Sequence, residues 1–190
     1  LLRLFYRFDA SALETMRANG KTLIVANHVS LLDGLLLMVA LPFSATAVVN
    51  TIVARHPLYR HLLRHVKHLT VSPNNPMAMK QVIKLVEAGE PVIIFPEGRI
   101  TLTGRLMKIY DGTAFIAART NADVHVVHIS EAEQSRFGYI KGLYKSPKRI
   151  VLHAMGPGKI NVDPHMSAKL RRKEAGIQMT KVLQLSYVSA

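Results

Sequence analysis

The sequence predicts an α/β fold in which a mainly parallel central sheet is flanked by helices. Short apolar runs rich in β-branched residues alternate along the chain with longer stretches that carry apolar residues at helical spacing. Strands that alternate with helices in this way are typical of a parallel sheet covered by helices. A length of 190 residues, of which 49% are hydrophobic, suits one domain with a single substantial core.

The first half of the chain predicts two strands and three helices. An apolar strand is expected over Thr22–Ala26, and a helix over residues 35–41. The β-branched residues 45–53 predict a second strand, and the basic residues 56–68 predict a helix. The Asn-Asn-Pro sequence at residues 74–76 combines a cap candidate with a first-turn proline. It therefore predicts the start of a third helix, which the next glycine ends.

The second half predicts three strands and two helices. Residues 91–95 are wholly apolar, as expected of a buried strand, and residues 124–129 and 150–155 predict two more. A short helix is expected over residues 113–119. The last helix is basic near its start, at residues 169–173, and carries apolar residues further on.

Composition restricts the classes of function. The chain has no cysteine, which excludes a disulfide scaffold, a thiolate zinc site and a cysteine nucleophile. A net charge of +13 predicts a polyanionic partner. A mean hydropathy of +0.17 is high for so basic a protein and favours an anionic membrane surface. The sequence has no helix-turn-helix, zinc-finger or RNP signature, so we expect no nucleic-acid partner.

Three histidines could suggest a metal site. His61, His65 and His68 would share one face of the helix predicted over residues 56–68. Arginine and lysine residues lie between them and would repel a cation, and no carboxylate is near. We therefore expect no metal there.

Residues 1–19 are expected to form a basic, aromatic, membrane-associated segment. The first eight residues mix aliphatic, aromatic and basic side chains without an acid, and a helix would place Arg3 and Arg7 on one face. An ordinary core-packing helix is the alternative. No apolar run is long enough to span a bilayer. Because the chain begins with Leu, we expect it to be part of a longer protein.

Asn27-His28 and Asp33-Gly34 lie where the first predicted strand gives way to the first helix. A histidine held beside a carboxylate is kept in one tautomer and is stabilised when it takes up a proton, as a general base requires. Ser30 and Asp33 also resemble a helix-capping box. The same residues are therefore consistent with a catalytic pair or with a purely structural helix start.

Phe95-Pro96-Glu97-Gly98-Arg99 follows a predicted strand, at the end where open α/β sheets bind ligands. Gly98 allows close approach to the backbone, and the planar guanidinium of Arg99 suits a phosphate. Lys108 adds a second positive charge further along. The alternative is a β-turn whose Glu97 and Arg99 pair only with their neighbours.

Together, in this order and at this separation, the two motifs resemble signature blocks of the glycerolipid and lysophospholipid acyltransferases. The resemblance covers nearly the whole chain and is strongest over residues 23–118. Within the family, the sequence is most similar to the acyltransferase domains of bifunctional bacterial 2-acylglycerophosphoethanolamine acyltransferase/acyl-acyl-carrier-protein synthetases. It departs from the family at the fourth block, where residues 124–129 lack the usual proline. The second block is hard to place, with Arg55 near Pro57 as the candidate phosphate contact.

The resemblance implies a single acyltransferase domain over residues 1–190, with a glycerol-3-phosphate acyltransferase-like fold. It implies that His28 takes the proton from the free hydroxyl of a lysophospholipid, which attacks an acyl thioester, while Asp33 orients His28. Glu97, Gly98 and Arg99 would hold the glycerol phosphate. No cofactor is expected apart from the donor substrate, acyl-acyl carrier protein or acyl-coenzyme A.

The resemblance also implies an acceptor, partners and a location. The expected acceptor is 2-acylglycerophosphoethanolamine, with lysophosphatidic acid or glycerol 3-phosphate as the alternative. The expected partners are acyl carrier protein and an anionic membrane, at the cytoplasmic face of the bacterial inner membrane, where the protein would be peripheral or monotopic. A non-catalytic basic membrane-binding module is the alternative from another class.

Overall fold

The computed structural model describes residues 7–72, 75–135, 137–139 and 149–188, in which seven strands form one sheet. The strands are β1 (Phe8–Asp9), β2 (Thr22–Ala26), β3 (Thr46–Asn50), β4 (His68–Val71), β5 (Val92–Ile94), β6 (Asp123–Ser130) and β7 (Ile150–Gly158). Their order across the sheet is β1-β7-β6-β2-β5-β3-β4. Every neighbouring pair is parallel except β6 and β7. The predicted fold class is confirmed.

Helices connect the strands and cover both faces of the sheet. The α-helices are α1 (Asp33–Ala40), α2 (Thr51–Arg55), α3 (Pro57–Leu63), α4 (Pro76–Glu87), α5 (Asp111–Thr120) and α6 (Ala168–Val188). Short 3-10 helices occupy Ser11–Leu13 and Ala132–Gln134. Helix α4 starts as its sequence predicts. Asn75 is its N-cap and accepts a hydrogen bond from the Met77 N–H through its side chain, and Pro76 is the first helical residue.

Strand β2 is buried on both faces. Leu23 and Val25 pack into a core formed with α4, α5 and α6, whereas Ile24 and Ala26 pack into a second core that includes α1. Alternate strand residues point to opposite faces, so a strand covered on both sides must be apolar throughout. This explains why β2 and its neighbour β5 appear in the sequence as nearly continuous apolar runs.

The region between β3 and β4 differs from the prediction. The strand predicted over residues 45–53 ends at Asn50, whose side chain accepts a hydrogen bond from the Ile52 N–H and thereby caps α2. The helix predicted over residues 56–68 ends at Leu63, and His68 instead begins β4, which pairs with β3. The three histidines therefore do not share a helix face. No group of three or more histidine or acidic side chains that could hold a metal occurs within the described ranges.

Residues 1–6, the first part of the segment predicted over residues 1–19 to associate with a membrane, lie outside the described residues. Phe8, predicted as part of a helix, lies in β1 and pairs with β7. Leu13 and Met16 are buried in the core, so this later part of the segment packs against the sheet. In the part of the chain that the structure describes, no helix is both long and apolar enough to cross a membrane.

Candidate active site

The two sequence motifs meet at the carboxyl edge of the sheet. Strands β2 and β5 are parallel neighbours, with Val25 opposite Ile94, so the segments that follow them emerge side by side. The imidazole of His28 stacks on the ring of Phe95, with centroids 4.2 Å apart and an interplanar angle of 21°. The contact joins His28, two residues after β2, to Phe95, the residue directly after β5. This edge is where parallel α/β sheets place their ligand sites.

His28 and Asp33 form a hydrogen-bonded pair. His28 Nδ1 lies 2.9 Å from Asp33 Oδ2; the Asp33 side chain is fully buried and the His28 side chain is 21% exposed. A carboxylate can only accept here, so Nδ1 carries the proton and donates it. The lone pair of the neutral ring is then on Nε2, where it can accept a proton from a bound hydroxyl.

Asp33 also holds the loop that carries His28. Its Oδ2 accepts hydrogen bonds from the N–H groups of Val29 at 2.7 Å and Ser30 at 2.8 Å, and its Oδ1 accepts from the Ser30 hydroxyl at 2.5 Å. Helix α1 begins at Asp33 and its N-cap, Leu32, makes no side-chain cap hydrogen bond, so these contacts close the turn before the helix and do not form the predicted capping box. The catalytic and structural readings of this motif are therefore compatible, because one carboxylate makes both sets of contacts.

Glu97 is buried between the two loops, with 1% of its surface exposed. Its Oε1 accepts from the backbone N–H of His28 at 2.8 Å, and its Oε2 accepts from that of Met107 at 2.9 Å. Burial raises the pKa of Glu97, and the two N–H groups oppose that rise. The sequence predicted Glu97 as an acceptor contact. The structure places it beneath the His28 backbone.

Gly98 and Arg99 turn outward after Glu97. Gly98 adopts a φ of +64°, a backbone conformation that favours glycine, and a Cβ at this position would lie in ordinary contact with the ring of Tyr110, at 3.4 Å. Arg99 is exposed and makes no hydrogen bond or ion pair with any residue in the described ranges. The alternative prediction, in which Arg99 pairs with a neighbouring acidic residue, is therefore not observed among the described residues.

Two further cations were predicted for this region. The ammonium group of Lys108 lies over the ring of Tyr110, 5.7 Å from its centroid, and Tyr110 in turn lies beside Gly98. Arg55 is exposed at the end of α2, which follows β3, the neighbour of β5. The structure thus brings Lys108 to the Gly98 turn. It places Arg55 on the next strand connection along the sheet, without a described contact to the other site residues.

Several residues that support the site had no role in the sequence prediction. Asn27 makes two hydrogen bonds to Ile129 of β6, through its amide nitrogen at 2.9 Å and its carbonyl oxygen at 2.7 Å. The Thr101 N–H donates to the His28 carbonyl at 2.8 Å. Asn27 directly precedes His28 in the first motif, so the sequence already places it beside the candidate base. No sequence pattern predicts the contact of Thr101 with His28, because it depends on the path that the loop after β5 takes in the folded structure.

Behind the first motif, the buried His128 of β6 packs against the half-buried Tyr187 of α6, with ring centroids 4.2 Å apart. Burial, together with the neighbouring His153, lowers the pKa of His128 to about 4. Burial and the nearby Glu97 raise the pKa of Tyr187 to about 12, and the adjacent Asn27 opposes that rise. Both rings are therefore neutral at pH 7. No local pattern in the sequence connects them.

Comparison with known proteins identifies the same part of the chain. A family model described as Acyltransferase matches residues 7–130. The 1-acyl-sn-glycerol-3-phosphate acyltransferase of Cocos nucifera is 30% identical over 112 residues, which are 56% of this chain and 36% of that protein. The protein of the same name from Limnanthes douglasii is 26% identical over 109 residues, 55% of this chain and 39% of its own length. The chain thus spans less than half the length of these curated relatives.

The fold agrees with this assignment. The crystal structure of the 1-acyl-sn-glycerophosphate (LPA) acyltransferase PlsC from Thermotoga maritima matches with a TM-score of 0.68 at 19% identity. The match covers 95% of this chain and 72% of that chain. The family match spans both motif loops, from the His28–Asp33 pair through the Glu97–Arg99 turn. The chain belongs to the acyltransferase family.

Proposed function

We propose that the protein transfers a fatty acyl group from a thioester to the free hydroxyl of a lysophospholipid, with His28 as general base. The observation that carries this proposal is the 2.9 Å hydrogen bond between His28 Nδ1 and the fully buried Asp33 carboxylate, with the ring partly exposed at the edge of the sheet. Arg99, exposed and without a partner in the described residues, supplies a nearby charge for an acceptor phosphate.

In this mechanism Nε2 of His28 takes the proton of the acceptor hydroxyl as its oxygen attacks the thioester carbonyl. The Asp33 carboxylate stabilises the resulting imidazolium. Collapse of the tetrahedral intermediate breaks the carbon–sulfur bond, and the thiolate leaves with the proton returned from His28. A thiolate is a good leaving group, so the reaction needs no covalent acyl-enzyme.

The acceptor that we favour is 1-acylglycerol 3-phosphate. The named relatives from Cocos nucifera and Limnanthes douglasii are 1-acyl-sn-glycerol-3-phosphate acyltransferases, which supports this acceptor over the 2-acylglycerophosphoethanolamine expected first from the sequence. A terminal phosphate carries more negative charge than a phosphodiester and suits the cations Arg99 and Lys108 better. 2-Acylglycerophosphoethanolamine and glycerol 3-phosphate remain the competing acceptors.

The donor and the location belong to the same proposal. The net charge of +13 suits an acidic acyl carrier protein as well as an anionic membrane surface. We place the protein at the cytoplasmic face of a bacterial inner membrane, where lysophospholipid acceptors are presented. Acyl-coenzyme A is the alternative donor.

The test is a matrix of thioester donors against acceptors, with products identified by mass spectrometry. His28→Ala should reduce turnover at least about 100-fold, the contribution expected of a positioned general base. The matched control is His165→Ala, which removes an exposed histidine from the loop that precedes α6 and should leave turnover unchanged. If His28→Ala retains more than about a tenth of wild-type turnover, His28 is not the base. A protein that binds anionic vesicles but transfers no acyl group would be the non-catalytic module.

A further inference from the structure

The Glu97 carboxylate is occupied by the main chain on both of its oxygens. One oxygen accepts the His28 N–H at 2.8 Å and the other the Met107 N–H at 2.9 Å, and the side chain is 1% exposed. A substrate phosphate would be repelled by the same carboxylate, and a substrate hydroxyl would have to reach a group that solvent hardly reaches. The contacts that Glu97 makes are therefore contacts between two loops of the protein.

The segment that follows β5 holds the main chain of His28 at both its N–H and its carbonyl. Glu97 accepts from its N–H, and the Thr101 N–H donates to its carbonyl at 2.8 Å. The preceding residue, Asn27, is bonded to β6 through its side chain. The backbone of His28 is thus restrained on each side, while Asp33 and Phe95 restrain its ring. Restraint of both parts places Nε2 at a defined point.

The second oxygen of Glu97 extends this restraint to a cation. Met107 directly precedes Lys108, whose ammonium group lies over Tyr110 beside the Gly98 turn. Glu97 therefore links the main chain of the base to the main chain next to a candidate phosphate ligand. The distance between the two determines whether the acceptor hydroxyl arrives at Nε2 when its phosphate is bound.

We infer that Glu97 is a positioning residue, which fixes the His28 main chain relative to the Met107–Lys108 segment and does not contact the acceptor. This inference rests on the proposed function, and it replaces the acceptor-binding role that the family resemblance implied for Glu97. Hydrogen bonds from N–H groups to a carboxylate are roughly twice as strong as those to a neutral oxygen. A buried carboxylate is accordingly well suited to hold two backbone segments in place.

Glu97→Gln tests the inference with almost no change in volume. The glutamine oxygen can accept from only one of the two N–H groups, and its amide then points a donor at the other donor. One of the two links is lost and the loops separate slightly. A displacement of about 1 Å at the reacting atoms can cost about 100-fold in rate, so kcat should fall about 10- to 100-fold while the acceptor KM stays within about twofold.

The measurement is steady-state kinetics with two acceptors, together with the acceptor-independent hydrolysis of the thioester. Water replaces the lysophospholipid in that hydrolysis and still needs His28, so a displaced base must slow both reactions. Glu97→Asp, which retains the charge with a shorter reach, should recover part of the loss. Glu90→Gln is the matched control: it removes a partly exposed carboxylate paired with Lys67 just before β5, and should behave as wild type.

Two results would overturn the inference. A loss confined to the acceptor KM, with hydrolysis unchanged, would make Glu97 an acceptor contact. A variant that melts early, and whose kcat returns to the wild-type value well below its melting temperature, would make its role purely structural.

Failure of the proposed function is distinguishable from failure of this inference, because it appears in the wild type as the absence of any His28-dependent acyl transfer.

The two hydrogen bonds of Glu97 to the main chain can be tested by NMR, without any measurement of activity. The amide protons of His28 and Met107 should resonate downfield in the wild type, and at least one should move upfield in Glu97→Gln. If neither moves, the inference fails whatever the kinetics show.

Discussion

Asp33→Asn separates the charge of Asp33 from its structural hydrogen bonds. In the wild type, Oδ2 accepts from His28 Nδ1 and from two backbone N–H groups, while Oδ1 faces the Ser30 hydroxyl. The asparagine oxygen can occupy the Oδ2 position and keep all three N–H donors. Its amide group then faces the Ser30 hydroxyl, which can rotate to accept. The loop and the His28 tautomer should therefore be retained, and only the negative charge is lost.

The expected loss follows from the ion pair that forms when His28 takes up a proton. Two unit charges about 4 Å apart at an effective dielectric constant of about 20 attract by roughly 4 kcal/mol. Asp33 is fully buried, so solvent screens this attraction little. The neutral amide oxygen retains about half of it, since a charge-assisted hydrogen bond is roughly twice as strong as a neutral one. The remaining deficit of about 2–3 kcal/mol corresponds to about a 100-fold loss in kcat/KM.

Steady-state kinetics and thermal melting of Asp33→Asn and Asp33→Ala check this reasoning. Asp33→Ala leaves the Val29 and Ser30 N–H groups and the Ser30 hydroxyl without their acceptor, at about 1–3 kcal/mol each if they stay buried. It should therefore melt well below Asp33→Asn, at about 2–4 °C per kcal/mol for a chain of this size. If Asp33→Asn keeps more than about a tenth of wild-type activity, the charge is not needed and Asp33 only holds the loop. If the two variants have the same melting temperature, Asp33→Asn does not retain the hydrogen bonds that Asp33→Ala loses, and this part of the reasoning is wrong.

The remaining predictions concern Arg99, the membrane and His128. Arg99→Lys keeps the charge but loses the planar fork, so acceptor kcat/KM should fall about 10-fold, with donor KM and melting temperature unchanged; early melting would mean that Arg99 supports the loop. The protein should co-sediment with anionic vesicles and be released by salt, whereas equal binding to neutral vesicles at low salt would remove the electrostatic explanation. Burial lowers the pKa of His128 from 6.5 to about 4, so the folded state binds fewer protons than the unfolded state between these pH values. The free energy of unfolding should therefore fall as the pH drops from about 6.5 to about 4, by about 3 kcal/mol from this residue. Urea denaturation across that range should give a flatter profile for His128→Leu, and parallel profiles would contradict the reasoning.

The sequence predicts best those helices and strands whose burial or capping can be recognised within a few neighbouring residues. Strand β2 is buried on both faces and is apolar at every position after Thr22, and α4 carries its own cap and first-turn proline. Strand β4 lacks such a signal because it lies at the sheet edge, where its four residues alternate between exposed and partly buried directly after a basic stretch. Thr51, Ile52 and Val53 are β-branched and therefore predict a strand, but the cap from Asn50 outweighs that preference and starts helix α2.

In the candidate site, too, contacts between residues close in sequence were predictable and contacts between distant residues were not. The His28–Asp33 pair was predictable because both residues lie in one short loop, five positions apart, at the end of a strand that the sequence identifies. The link from His28 to Glu97 spans 69 positions, and the link from Asn27 to Ile129 spans 102. These contacts exist only because β5 and β6 are the two neighbours of β2 in the sheet. The sequence by itself determined the reacting pair and the class of fold, since both depend on short-range patterns. Only the tertiary structure decided what holds that pair in place, because strand order brings together backbone groups that no local pattern connects.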